Sequence, residues 1–333
     1  MKTFLPLLLL IALLSAALLT GSAALSAADV WAALTGTADD AARFIVCEAR
    51  LPQALTAVLA GAGLAVAGLL MQTVFANPLA DPSLLGVNSG AGLGVAVAML
   101  LLGGTLVAGE FSLSGFVLTV AAAFAGSAFV ILLLVAGSAL MPGTLPLLIT
   151  GVMISFATGA LVSLLSFWST AQGVQAYMLW GLGNFGGVTS ARLPAFAALT
   201  VAGLAGAWLL SKDLNAMLLG DDYAQNAGVD VRRKRLTALL ISGLLTAGTT
   251  ALCGPIAFIG LAMPHAARLT LRTSDHRALT PATALWGADI ALLCHILSQL
   301  PGERGILPIN VLTPLVGVPA VFLILLRSRK GTL

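Results

Sequence analysis

Few side chains in this sequence are of the types that bind metals or form disulfides. Protein metal sites gather Cys, His and carboxylate ligands at short, fixed spacings. Cys47, Cys253 and Cys294 are odd in number and lie far apart. We therefore expect no disulfide framework and no metal site, and we expect Cys253 and Cys294 to pack in a core.

The histidines also lack the neighbours that a ligand set requires. His265 follows Pro264 and has no second ligand at helical spacing, so we expect a structural or coupling role. His276 stands beside Asp275 and is typical of a polar surface residue. The sequence contains no recognisable constellation of metal ligands or nucleophile and base, which favours a protein that is not an enzyme.

The sequence also lacks an ATP-binding P-loop. That motif, Gly-x-x-x-x-Gly-Lys-Ser/Thr, places a lysine directly after a glycine. The lysines here follow Met1, Ser211, Arg233 and Arg329. A partner or an ion gradient must therefore supply the energy for any work that this chain does.

Two ionisable residues, Asp289 and His295, fall inside an apolar stretch. Such groups in a membrane usually face a cavity or a partner. We interpret His295 as a packed or helix-bonded histidine, with ligation of a haem as the alternative.

Membrane-spanning helices must position these residues, because the sequence has too little charge for a soluble domain. Phe111–Ala191 contains no Asp, Glu, Lys or Arg, and the chain is 9% charged and 59% apolar. A bilayer core accepts apolar helices of about 20 residues and disfavours a central charge by about 2.5–3.5 kcal/mol. The 36 glycines allow close helix contact, and the alternating segments of a barrel are absent. The sequence predicts an all-α polytopic membrane protein.

Apolar stretches bounded by Gly, Pro or charge predict about ten spans in a single transmembrane domain, 1–333. The predicted spans are 4–27, 51–74, 84–102, 113–136, 146–168, 193–211, 236–252, 256–271, 281–298 and 309–326. An uncharged loop, 169–191, and a charged loop, 212–235, flank the sixth span. The first span also resembles a cleaved signal peptide, but with so many spans following we expect an uncleaved helix.

Basic residues predict how the spans are oriented. With ten spans, the side that holds both termini carries twelve of the 16 basic residues, and the other side carries Arg43, Arg50, Arg192 and Arg304. Lys and Arg concentrate on the cytoplasmic side, so we expect both termini in the cytoplasm. Because these residues lie in short loops, the pI near 9 does not indicate nucleic-acid binding.

A glycine motif follows the second span. Asn77-Pro78 and Asp81-Pro82 are turn formers, and three glycines then recur at i, i+4 and i+8, which gives one smooth helix face. We interpret this motif as a packing surface. Its residues are Asn77, Pro78, Asp81, Pro82, Gly86, Gly90 and Gly94.

A series of motifs, in order from about residue 45 to the end, resembles one family. The segments are R-L-P at 50–52, N-P-L-A-D-P-S-L-L-G at 77–86, W-G-L-G-N-F-G-G at 180–187, L-G-D-D-Y-A at 219–224, A-G-V at 227–229, G-P-I-A-F-I-G-L at 254–261 and D-H-R at 275–277. The eighth-span signature comprises Gly254, Pro255, Gly260, Pro264, His265 and Arg268. Together they resemble the permease subunits of ABC importers for iron–siderophores, haem and cobalamin, the FecCD-type permeases.

The resemblance implies a type II ABC importer permease fold in the inner membrane. A second copy of the chain would complete a homodimer, two ATP-binding subunits would dock on the cytoplasmic face, and a periplasmic substrate-binding protein would deliver the chelate. ATP and Mg would belong to the ATP-binding subunits, with no cofactor in this chain. We expect membrane lipid and no nucleic acid as further partners. We expect the second, fifth and eighth spans to line the path, with residues 169–187 shaping its outer end.

The resemblance also assigns ATPase coupling to the 212–235 loop. Acids near a helix start and bases near its end favour helix formation, and the loop has this order of charge. The alternatives are a solvated loop that only sets topology and a basic cluster, 232–235, that anchors the chain at the membrane. The expected coupling residues are Leu219, Gly220, Asp221, Asp222, Tyr223, Ala224, Ala227 and Gly228.

Docking of the binding protein is where this sequence departs from the family. Arg50 matches an outer base of the pattern, but Gln53 and Gln299 stand where arginines are expected and His295 stands where an aspartate is expected. We expect Arg304, in an altered G-E-R-G loop, to compensate.

The substrate is less well specified. Iron–siderophore, haem and cobalamin permeases share these motifs, and the segment 185–188 resembles cobalamin permeases but is too short to decide. The main alternative is an ion-coupled secondary transporter, which would use Asp289, His295 and His265 as a relay.

Overall fold

The computed structural model describes residues 4–21, 23–108, 111–140, 144–300 and 305–329, and most of them are helical. The α-helices are α1 (Phe4–Leu19), α2 (Ala27–Thr35), α3 (Asp40–Arg43), α4 (Leu51–Val74), α5 (Val87–Ala96), α6 (Gly115–Leu140), α7 (Thr144–Trp168), α8 (Ala171–Gly181), α9 (Leu193–Leu209), α10 (Ser211–Met217), α11 (Asp221–Asn226), α12 (Val231–Cys253), α13 (Ile259–Leu271), α14 (His276–Gln299) and α15 (Ile309–Arg329).

Shorter elements extend some of these helices. A π-helical segment, Phe44–Arg50, leads into α4, a second one, Val97–Leu101, follows α5, and a 3-10 turn, Pro82–Leu85, precedes α5. Strands β1 (Thr105–Ala108) and β2 (Phe111–Ser114) pair antiparallel, with Thr105 opposite Ser114. This hairpin is the departure from an all-helical chain among the described residues, and it occupies the predicted loop after the third span.

Among the described residues, a helix lies at each of the ten predicted spans. By length and hydropathy, five helical stretches can cross a membrane, and a sixth qualifies if α9 and α10, bent by 51°, form one span. The five are Asp40–Val74, Gly115–Gly137, Leu145–Trp168, Val231–Cys253 and His276–Gln299.

The first, third and eighth predicted spans hold shorter helices than the sequence predicted. α13 has 13 residues, and at about 1.5 Å per residue it rises about 20 Å, less than the roughly 30 Å hydrocarbon core. Residues 254–258 before it are not helical. Non-helical backbone at membrane depth is tolerated where protein buries it, and Gly254 and Ile256 are buried. The expectation of one uninterrupted helix over 256–271 is wrong. The total of ten membrane spans stays a prediction.

Two predicted loops contain helices. The 169–191 loop holds α8, whose first turn is capped by the Thr170 hydroxyl accepting from the Gly173 N–H at 3.2 Å. The 212–235 loop holds α10, α11 and the start of α12. Both segments are too short for the periodic signal by which longer helices are recognised in sequence.

The chain forms two compact units. The first comprises Met1–Val66, Asn184–Trp208 and Ile256–Leu333. Within it α4 and α14 meet backbone to backbone: a Cβ added to Gly61 would lie 2.1 Å from the Gly287 carbonyl oxygen, and one added to Gly287 would lie 2.2 Å from that of Gly61.

The second unit comprises Ala67–Gly183 and Leu209–Pro255. Here α5 lies directly on α6, since a Cβ at Gly90 would come within 2.5 Å of the Gly126 carbonyl oxygen and one at Gly94 within 2.0 Å of that of Ala122. Gly86 differs from these two glycines. It ends the 3-10 turn at φ 78°, and a Cβ there would face α7, 3.1 Å from the carbonyl oxygen of Gly151.

We predict that Gly94→Ala destabilises the protein by about 1–3 kcal/mol, because the new methyl group overlaps the backbone of α6. Gly159→Ala on α7 is the matched control, since a Cβ there meets nothing within 4 Å and Ala is favoured over Gly in a helix. Thermal unfolding in detergent measures both variants. Equal midpoints for the two would show that α5 and α6 can separate without cost.

Candidate functional site

A pocket of about 340 Å³ lies in the second unit, between α5, α7 and α8. Its wall is made of small, aromatic and neutral polar side chains, and none of the described residues that line it is Asp, Glu, Lys, Arg or His. The lining residues that carry the argument are Asn88, Gly92, Ser155, Tyr177, Trp180 and Pro255. An uncharged, largely apolar cavity of this size suits a small organic ligand better than a bare ion.

Two aromatic rings from α8 form one side of this pocket. The rings of Tyr177 and Trp180 lie 6.0 Å apart at 30°, and both pack against a buried cluster of Ala91, Val95, Ala123 and Ala251. Gly92 leaves room for Tyr177, because a Cβ there would lie 3.2 Å from the phenol oxygen. The two rings therefore pack against the core of this unit and also line the pocket.

Polar groups of the pocket are bonded within their own unit. The Thr250 hydroxyl on α12 donates to Asn88 Oδ1 on α5 at 2.8 Å. The hydroxyls of Ser155 and Thr158 donate to carbonyls one turn back on α7. Hydroxyl oxygens bonded in this way can still accept a hydrogen bond from a ligand.

The end of α12 closes against the end of α8. Gly254 has φ 78° and ψ 173°, and a Cβ there would lie 2.5 Å from the Trp180 carbonyl oxygen. The next residue, Pro255, lines the pocket. The eighth-span signature thus begins at the pocket, whereas Gly260, Pro264, His265 and Arg268 lie on α13 in the first unit.

The lining of this pocket differs from the lining expected for the path. We expected the second, fifth and eighth spans to line the path of a homodimer, with 169–187 at its outer end. The pocket is lined by the third and fifth predicted spans, by α8 within 169–187 and by Pro255, and by no residue of α4. The lining of the path in a dimer stays a prediction. Asn88 and Tyr177 were not singled out individually, although Tyr177 lies in the 169–187 segment, and Trp180 begins the W-G-L-G-N-F-G-G motif. The Thr170 cap followed by closely spaced aromatics was a possible signal.

The expected coupling residues lie in α11 and in the turns directly before and after it. Gly220 and Gly228, with φ of 107° and 84°, precede and follow that helix. Leu219 and Tyr223 are exposed, at 66% and 55%. Ala224, one of the expected coupling residues, is fully buried, so its methyl group packs inside the chain. Asp222 and Ala227 are exposed.

Two ion pairs fasten this region to the start of α12. Lys234 Nζ lies 2.7 Å from Asp213 Oδ2 on α10, and Arg235 Nη2 lies 2.8 Å from Asp221 Oδ2 on α11. The sequence did not predict these pairs. Half of the basic cluster that we considered as a membrane anchor is thus engaged by the coupling segment.

Arg50 lies inside the first unit and not on its rim. The side chain is buried, at 6% exposed. Its guanidinium donates to the carbonyl oxygens of Leu18 at 2.7 Å and Ala23 at 2.5 Å. A Cβ at Gly21 would come within 2.9 Å of the Arg50 guanidinium. Arg304, the other expected docking base, lies outside the described residues.

The Asn77–Pro82 motif shapes a compact turn before α5. Asn77 Oδ1 accepts from the Leu79 N–H at 2.9 Å. Asp81 Oδ1 accepts from the Ser83 N–H at 2.8 Å and thereby caps the 3-10 turn. Burial raises the pKa of the Asp81 carboxyl above its usual range, and the hydrogen bonds from Ser83 oppose that shift.

Asp289 and both histidines of α14 are buried, whereas Arg277 is exposed. His295 packs its ring edge-on to Phe185, with centroids 6.0 Å apart, and His276, expected at the surface, is 1% exposed. Asp289 is 2% exposed, and neither of its carboxylate oxygens has a hydrogen-bond partner in the described part of the chain. Within that part, no group of three His, Cys, Asp or Glu side chains could hold a metal ion.

Known proteins match nearly the whole chain. The FecCD transport family matches residues 7–327. The vitamin B12 import system permease protein BtuC of Citrobacter koseri is 35% identical over 308 residues, which cover 92% of this chain and 90% of that protein. The hemin transport system permease protein HmuU of Yersinia pestis is 35% identical over 334 residues, which cover 99% and 96%.

A solved structure has the same fold. It is an inward-facing conformation of a metal-chelate type ABC transporter, 28% identical in sequence, with a TM-score of 0.86 and 98% of each chain covered. The chain therefore belongs to the FecCD transport family, and it is a multi-pass transport permease of the inner membrane.

Proposed function

We propose that this chain is the permease subunit of a binding-protein-dependent ABC importer that carries a metal chelate inward. The observation that carries the proposal is the uncharged pocket between α5, α7 and α8, in a chain that has no P-loop of its own. ATP and Mg bind to partner subunits, and this chain contributes the path and its movement. Both termini lie in the cytoplasm.

A second copy of the chain completes the path. α7 is the least buried of the five long apolar helices, with 17% of its most apolar window buried. Its exposed side chains include Met153 and Phe156, and Gly159 leaves open space beside the pocket. A symmetric partner seated on α7 would cover this surface and enlarge the pocket across the two-fold axis.

The chemistry of the pocket favours a bulky chelate with apolar surface. Tyr177 and Trp180 offer ring faces, and neutral hydroxyls and an amide offer hydrogen bonds without fixing a charge. The relatives named above transport vitamin B12 and hemin, which are metal chelates built on flat macrocycles. We therefore propose cargo of this class, with iron–siderophores as the third candidate.

The exposed part of the coupling segment suits an ATP-binding partner. Leu219 and Tyr223 project from α11 and its flank, beside the exposed acid Asp222. An apolar pair next to a charge is typical of an interface with a polar rim.

One observation supports a second candidate, an ion-coupled transporter. Asp289 is buried with both carboxylate oxygens unpartnered among the described atoms, and intramembrane acids often belong to ion relays. His295, the other buried ionisable group on that helix, packs against Phe185.

We predict that the permease, reconstituted with its ATP-binding subunit and binding protein, imports a macrocyclic chelate only when ATP is present. Liposomes loaded with ATP are compared with liposomes that carry a proton or sodium gradient, using cobalamin, haem and an iron–siderophore as cargo. Uptake driven by a gradient without ATP, and abolished by Asp289→Asn, would establish the ion-coupled alternative.

We predict that Tyr223→Arg weakens binding of the ATP-binding subunit by about tenfold or more, because a buried apolar anchor at an interface often contributes at least 2 kcal/mol. Gln225→Arg, exposed on the same helix, is the control and should bind normally. Ala224→Arg would not be informative, since it disrupts packing within the chain. Co-purification and ATPase assays measure the effect. If both variants bind equally well, α11 is not the contact.

We predict that Arg50→Gln lowers the unfolding temperature, because each charge-assisted hydrogen bond contributes about 1.5–3 kcal/mol and two partly buried carbonyl oxygens lose their donor. Arg43→Gln, at an exposed position, should leave it unchanged. Binding-protein affinity should fall with Arg50→Gln by a factor that does not depend on salt. A loss that grows at low salt, with normal stability, would instead identify Arg50 as a direct docking contact.

A further inference from the structure

The helix α12 connects the coupling segment to the pocket within one unit of the chain. Its inner end carries Lys234 and Arg235, which pair with Asp213 on α10 and Asp221 on α11. Its outer end carries Thr250, bonded to Asn88 of the pocket wall. The same helix therefore touches both places where the proposed function requires movement.

The middle of α12 is built to move as a single body. The helix has 23 residues without an internal proline, so it spans about 34 Å at about 1.5 Å per residue. Its middle is locked to neighbours: the Ser242 hydroxyl donates to the Ala67 carbonyl oxygen at 3.1 Å. A Cβ at Gly243 would lie 2.6 Å from the Ile131 side chain of α6. Sharp kinks occur mostly at proline, at Gly/Ser pairs or at π-bulges; α12 has no proline, and its Ser242-Gly243 pair is held by contacts with Ala67 and Ile131.

The outer end of α12 meets the aromatic wall of the pocket. Gly254 follows the last residue of the helix, and its backbone lies so close to the Trp180 carbonyl that a Cβ would stand 2.5 Å from that oxygen. The hydrogen bond from Thr250 to Asn88 joins α12 to a second lining residue, on α5. A shift of α12 along its axis must therefore move Trp180, Asn88 or both.

Two ion pairs join α10 and α11 to the inner end of α12, beside the packing of the buried Leu214, Met217 and Ala224. These helices have seven and six residues, and helices of this length do not hold together without outside contacts. The side chains of Asp213 and Asp221 are 21% and 49% exposed, and pairs of this kind add little to the stability of a fold. Their contribution is to fix the position of the coupling segment relative to α12.

We propose that the pairs Asp221–Arg235 and Asp213–Lys234 make α10, α11 and α12 one mechanical unit that carries motion from the ATP-binding subunit to the pocket wall at Asn88 and Trp180. This inference rests on the proposed function. Arg235, Lys234 and Thr250 are positioning residues, since they act through the helix and do not touch the ATP-binding subunit or the cargo.

Arg235→Glu tests the proposal, because it places a second acid against Asp221. Arg232→Glu is the matched control: it makes the same charge change three residues earlier on the same helix, where the side chain is exposed and has no ion pair in the part of the chain that the structure describes. The double variant Arg235→Glu with Asp221→Arg restores opposite charges. Each is reconstituted with the ATP-binding subunit and binding protein, and cobalamin and haem uptake, ATP hydrolysis and unfolding temperature are measured.

We expect Arg235→Glu to assemble with normal thermal stability, to hydrolyse ATP, and to import about tenfold less cargo per ATP, which is within the usual range for coupling between sites. Arg232→Glu should match the wild type, and the double variant should recover most of the loss. A single cysteine at Met178 in the pocket adds a direct readout. Its labelling rate should change with ATP in the wild type and in the double variant, but not in Arg235→Glu.

Several outcomes would overturn the proposal. Wild-type transport efficiency in Arg235→Glu, an equal loss in Arg232→Glu, or no recovery in the double variant would show that the ion pair does not couple the two ends. A drop in unfolding temperature that accounts for the lost transport would reduce the pair to a structural role. If the wild-type complex itself shows neither ATP-driven uptake nor ATP-dependent labelling, the proposed function fails, and the inference fails with it.

Discussion

Contact between helix backbones at glycine positions is the constraint on which the rest of this structure depends. Lipid offers no hydrophobic drive between helices, so they hold together by close packing. Gly61 against Gly287 in one unit, and Gly90 against Gly126 in the other, leave no room for a Cβ. The same requirement sets Gly254 against Trp180, so the packing rule that builds the bundle also fixes one wall of the pocket.

The positions of the helices followed from the sequence, because lipid solubility and charge exclusion act locally. The predicted span 51–74 coincides with α4, and 146–168 lies within α7. Helix ends at interruptions were less predictable. α13 begins only at Ile259, because the Gly254-Pro255 segment is held by tertiary contacts that no local pattern encodes. α8 was missed because a helix of 11 residues has no spanning signal.

The candidate site was predictable in its motifs and not in its contacts. Glycines and prolines in the 77–94 and 254–264 segments indicated turns or close backbone contacts. The residues that these segments contact lie far along the chain. Arg50 illustrates the limit. Its type and position suggested a hydrated base, yet the carbonyl oxygens of Leu18 and Ala23 left without helical partners draw the guanidinium inward. Whether an arginine is hydrated at the surface or bonded to carbonyl oxygens inside the chain depends on the loop that covers it.

The pocket and the coupling segment differ in the charge of their side chains. None of the described residues that line the pocket is ionised, whereas charged side chains of the coupling segment pair at partly exposed positions. At a partly exposed position, water still reaches both charges, so an ion pair fixes the orientation of two helices without the large desolvation cost of a buried pair. Burying the same charges would cost several kcal/mol for each ion. The two pairs therefore tie the coupling segment to α12 at a low desolvation cost.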